Sequence, residues 1–85
     1  MTMKMKMTKQ DIINQVDETY IDLLFSDPIV NTNKSVQRAI ELTEPAFNTI
    51  RETECAVTFE NAVRLFNKRV ELAYDVIKIY SNLQA

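Results

Sequence analysis

Twelve acidic side chains, one cysteine and no histidine set the chemistry open to this 85-residue chain. Carboxylates three or four positions apart share a helix face and can aim at one cation. Glu41 with Glu44 and Glu71 with Asp75 have that spacing. In a third group, Asp17, Glu18 and Asp22, only Glu18 and Asp22 have it; Asp17 and Glu18 are adjacent and diverge by about 100° around a helix axis. Without histidine there is no Ser–His or Cys–His nucleophile pair and no His-ligated zinc, haem or non-haem iron. Cys55, the only cysteine, forms neither an internal disulfide nor a Cys-based zinc site. No Lys or Arg lies within three residues of it, whereas Glu52 and Glu54 do, so its thiol is expected to be raised and partly buried at a helix end.

The Glu41-x-x-Glu44 and Glu71-x-x-x-Asp75 pairs are similar to the carboxylate sets that hold Mg²⁺ in all-helical nucleotide pyrophosphohydrolases. The second pair departs from that family's spacing and Pro45 interrupts the first, so solvated helix faces are expected instead: no catalytic residue, no metal and no cofactor. The N-terminus offers a different chemistry. Met3, Met5 and Met7 alternate with Lys4 and Lys6 at the period of a strand. A basic strand followed by two helices resembles the ribbon-helix-helix repressors, and the stretch from Asn33 to Leu42 is loosely similar to the start of their second helix. That resemblance implies a dimeric DNA-binding protein that inserts a Lys4/Lys6 ribbon into the major groove. The other expectation is that residues 1–8 form a flexible leader before a single helical domain, 9–85.

Composition narrows the fold. Hydrophobic residues make up 46% of the chain and charged residues 26%, as in a folded domain rather than a disordered one. The chain has no Gly, so tight hairpin turns and phosphate-cradling loops lack their usual residue, which disfavours strand-rich and nucleotide-binding folds. Ten basic residues against twelve acidic leave a net charge of −2, too little to grip nucleic acid by phosphate neutralisation. No apolar run approaches the roughly 18–20 residues of a membrane span, and no apolar stretch follows the N-terminal lysines, so a cytoplasmic protein is expected.

The 3.6-residue period supplies the elements. Ile13, Val16, Tyr20 and Leu23, widened by Ile12 and Leu24, predict a first helix from Lys9 to Phe25 with Thr8 as N-cap and Asp11 in its first turn. It should stop before Pro28, after which Ile29 and Val30 tuck inward from a loop. Val36, Ile40, Thr43, Phe47 and Ile50 predict a second helix, capped by Asn33 or Ser35. Pro45 either kinks this helix or begins a new one, and the unbroken apolar phase favours the kink. Phe59, Val63, Phe66, Val70, Ala73, Ile77 and Tyr80 then alternate steps of four and three, with Ala62, Leu72, Val76 and Leu83 broadening the face. They predict a third helix over Thr58 to Asn82, with Thr58 as cap and Val57 stapled to Ala62.

Three amphipathic segments with short connections are expected to fold as an all-α antiparallel three-helix bundle. The third helix is longer than the first can cover, so a homo-oligomer or a partner-binding groove should take up the remaining seam. The expected function is a small non-enzymatic interaction module, an adaptor, inhibitor or regulator that binds a protein partner. Chains of this size and type are common among phage and mobile-element regulators such as antirepressors, antiholins and anti-defence proteins. Candidate contact residues are Asp17, Glu18 and Asp22 on the acidic first helix, and Arg64, Lys68, Arg69 and Tyr74 on the third. Tyr80, in the apolar phase, is expected to pack.

Overall fold

A computed structural model describes residues 7–84 of the chain. Residues 1–6, with the proposed Lys4/Lys6 ribbon and most of the expected leader, lie outside the described residues. The protein is all-α: α1 spans Lys9–Leu24, a 3₁₀ turn Pro28–Asn31, α2 Lys34–Glu41, α3 Glu44–Glu52 and α4 Ala56–Gln84, with no strand among the described residues. No helix among them is long and apolar enough to cross a membrane.

Local chemistry sets each boundary. The Thr8 hydroxyl accepts from the Asp11 backbone N–H at 3.1 Å, and the Asp11 carboxylate accepts from the Thr8 N–H at 3.1 Å, closing a reciprocal capping box on α1. Thr8→Ala is therefore expected to lower stability by about 1 kcal/mol, seen as a small downward shift of the thermal midpoint. The Asp27 carboxylate caps the 3₁₀ turn through the Ile29 N–H, and Pro28 fits its first position. That turn carries Ile29 and Val30 into the core. Asn33, of the two candidates, caps α2 by accepting from the Val36 N–H.

Leu42 and Thr43 separate α2 from α3, and Pro45 lies in the first turn of α3, where its missing N–H costs nothing. Thr43 is fully buried, with its hydroxyl donating to the Ile40 carbonyl at 2.6 Å, so this polar side chain is satisfied within the corner. Its burial keeps the apolar phase continuous across the break.

The third predicted helix begins earlier and ends later than its sequence signals. The first turn of α4 starts at Ala56, so Thr58 is inside the helix rather than its cap, and Val57 is exposed instead of stapled to Ala62. Cys55 precedes the helix, and its carbonyl accepts from the Phe59 N–H. At 29 residues, α4 is about 43 Å long and acts as the spine of the fold. Phe59, Ala62, Phe66, Val70, Ala73 and Ile77 are buried along it, against Val16 and Leu23 of α1, Val36 and Ile40 of α2, and Ala46 and Ile50 of α3. Three aromatic rings link the layers: Tyr20 stacks on Phe47 with centroids 4.7 Å apart, and Phe47 lies 6.0 Å from Phe66. The Cα atoms span 49 × 32 × 15 Å, so the smallest dimension matches about two packed helix layers.

Candidate interaction surfaces

The seven candidate contact residues fall into three groups. Asp17 turns towards α3, where its carboxylate pairs with the Arg51 guanidinium at 2.6 Å, and Arg51 also lies 5.6 Å from the Phe47 ring. Both partners are partly solvated, so this pair contributes modestly, and Asp17 is occupied within the fold. Glu18 and Asp22 are exposed on α1, and neither pairs with a cation among the described residues.

On α4, Arg64 and Lys68 are exposed one turn apart. Arg69 is half-buried and reaches back to donate to the Leu42 carbonyl at 3.1 Å, placing its charge at the C-terminal end of α2, where the helix dipole favours a cation. Tyr74 is exposed, but at 100° per residue it points roughly 140° away from Arg69 around the helix. Arg64, Lys68, Arg69 and Tyr74 therefore do not make one patch. Tyr80 is half-buried, and its hydroxyl donates to the Ser35 hydroxyl at 3.3 Å, tying the end of α4 to α2.

Several large apolar side chains are exposed, among them Leu72 and Leu83, which the sequence pattern placed on the buried face of the third helix. At the C-terminal end of α1, Ile21 and the C-cap residue Phe25 are 52% and 83% exposed, and with Glu18 and Asp22 they have the spacing i, i+3, i+4 and i+7. On α4, Leu65, Leu72 and Ile79 recur every seven residues and are 43%, 58% and 56% exposed. Leu83, at 74%, extends this second line, which lies about 110° around α4 from its buried face. Leu72 and Leu83 thus do not broaden the buried face as expected: their helical phase sets them beside it, where the other helices do not cover them.

The acidic pairs do not assemble into a metal centre: no group of three or more Cys, Asp or Glu side chains among the described residues is placed to hold an ion. Cys55 departs from its expectation in both respects. It is exposed, and its thiol is held below the usual range, first by a hydrogen bond with the Thr58 side chain and then by the backbone N–H groups of Thr58 and Val57. These donors at the start of α4 outweigh the opposing effect of desolvation. Tyr20 shifts the other way: partial burial, then the neighbouring Glu44 charge and its hydrogen bond, raise the phenol above its ordinary value.

Compared with protein-family models, curated proteins and solved structures, the chain matches none.

Proposed function

We propose that the protein is a non-enzymatic, cytoplasmic interaction module that regulates or inhibits a protein partner through the outer face of α1. The observation that carries this reading is the arrangement of Phe25 and Ile21 beside Glu18 and Asp22 on one exposed helix face. Two apolar anchors spaced for a groove, flanked by carboxylates, suit a partner with an apolar groove rimmed by Lys or Arg. Charge steers the encounter, and burial of Phe25 holds the complex. The exposed, free Cys55 fits a reducing compartment.

The scaffold behind this face is read as an antiparallel three-helix bundle of α1, the α2–α3 unit and α4. The order of contacts supports it. Lys9 meets Thr53 while Tyr20, further along α1, meets Glu44. Ser35, Leu42 and Phe47 in turn meet Tyr80, Arg69 and Phe66.

The test is a pair of variants in a binding assay with the captured partner. Phe25→Ala should weaken binding at least about 30-fold, the scale of an aromatic anchor, with helical content and melting unchanged. Glu18→Lys with Asp22→Lys should slow association and remove its salt dependence. Binding that is indifferent to both variants removes the α1 face from consideration. Charge reversal at Arg64 is the matched control on α4.

A further inference from the structure

The 29-residue α4 packs α1, α2 and α3 against one side, and part of its circumference remains exposed. The side of α4 left open carries Leu65, Leu72 and Ile79, spaced by seven, and Leu83 beyond them. A seven-residue apolar repeat is the pattern by which one helix seats against another. It is distinct from the buried line of Phe59, Phe66, Val70, Ala73 and Ile77, which the fold already uses.

We propose that this line is the contact with a second copy of the chain, the two α4 helices lying antiparallel about a two-fold axis at Leu72. The charges bordering the line select this occupant and this direction. Lys68 and Asp75 flank Leu72 on the same open edge, and with Leu72 and Glu71 they line a shallow depression of about 240 Å³. An axis through Leu72 sets each residue opposite the one equally far beyond Leu72 on the other copy. Leu65 then faces Ile79. Lys68 falls level with Val76, one residue or about 1.5 Å along the axis from Asp75 and on the same edge, so the two charges come within side-chain reach. Each pairing occurs twice. A parallel arrangement would instead put Lys68 level with Lys68 and Asp75 level with Asp75 on opposite edges of the seam, so this opposite-charge pairing would be lost.

The same symmetry brings Leu83 level with Asn61. There a second depression of about 240 Å³ opens between α3 and α4, lined by Pro45, Thr49, Asn61 and Leu65 among others. The most exposed leucine of the line thus meets an apolar recess on the other copy. The interface is isologous, as closed homodimers are. It involves a different helix from the α1 face, so the two readings stand or fall separately.

Light scattering of the full chain, over micromolar to millimolar concentration, tests this. The expected result is a concentration-dependent rise to twice the chain mass. Leu72→Glu puts two like charges on the axis and should return the protein to single-chain mass, with helical content retained because that side chain is already more than half exposed. Lys68→Glu should weaken the dimer about tenfold, and adding Asp75→Lys should restore it to within about twofold. Phe25→Ala should leave the mass unchanged, which separates this interface from the α1 face. Single-chain mass at every concentration, or a dimer indifferent to Leu72→Glu, overturns the proposal. A double variant no tighter than Lys68→Glu overturns the antiparallel register.

Discussion

Val70→Asp is expected to unfold the domain. Val70 is 6% exposed on the buried line of α4, between Phe66 and Ala73, in a cluster of apolar side chains drawn from every element. A carboxylate there loses its hydration and meets no cation, which costs several kcal/mol even if the group takes up a proton. The whole stability of a domain this size is roughly 4–13 kcal/mol, so one such substitution consumes most of it. Circular dichroism should show loss of the cooperative melt. Leu72→Asp, two residues further on and 58% exposed, should keep it. A normal melting temperature for Val70→Asp would mean that the register of α4 is wrong.

The second large effect is expected at Phe66. This ring is the largest fully buried side chain and touches the Phe47–Tyr20 stack, so it joins α4 to α3 and, through Tyr20, to α1. Truncation to alanine removes the ring and leaves a cavity whose walls belong to three helices. The expected loss is about 3–5 kcal/mol. At about 4–8 °C per kcal/mol for a domain of this length, the midpoint should fall by roughly 12–40 °C. Phe25→Ala, at an 83% exposed ring of the same type, should leave the midpoint in place. Equal effects at the two positions would contradict the assignment of one ring to the core and the other to a surface.

Much of the core was legible because burial follows phase. In α4 the steps of four and three placed Phe59, Val63, Phe66, Val70, Ala73, Ile77 and Tyr80 inward; Val63 and Tyr80 are half-buried and the other five are buried. The inward tuck of Ile29 and Val30 followed from an apolar pair between a proline and a run of capping residues. Boundaries were harder to read. Periodicity cannot tell a kink from a break when the connection preserves phase, and Leu42–Thr43 preserves it because Thr43 is buried with its own hydroxyl satisfied. Thr58 resembles a cap by residue type, yet the helix extends through Ala56, a good helix former with no cost to pay.

The surfaces were legible only in part. Acidic and basic residues drew attention to α1 and α4, but charge alone marks solvated faces as readily as contact faces. What distinguishes the candidate faces is apolar area out of phase with the core: Ile21 and Phe25 on α1, and Leu65, Leu72 and Ile79 on α4. Sequence cannot weigh these without knowing which side of each helix the fold covers. Asp17 shows the converse. It reads as one member of an acidic face, but a partner 34 residues away, Arg51, takes it out of that face. Arg69 is likewise committed, to the Leu42 carbonyl 27 residues away. Cys55 misled because sequence neighbours are not thiol neighbours: the start of α4 supplies the donors that lower it.

The most direct measurement of the central claim is a capture experiment with tagged full-length chain in lysate of the source cells, run with and without nuclease and repeated with Phe25→Ala. The account predicts a stoichiometric protein band that survives nuclease and is lost with Phe25→Ala. Recovery of nucleic acid, with every protein band lost on nuclease treatment, would contradict it and transfer the function to Lys4 and Lys6. A band of equal strength with Phe25→Ala would contradict the choice of face.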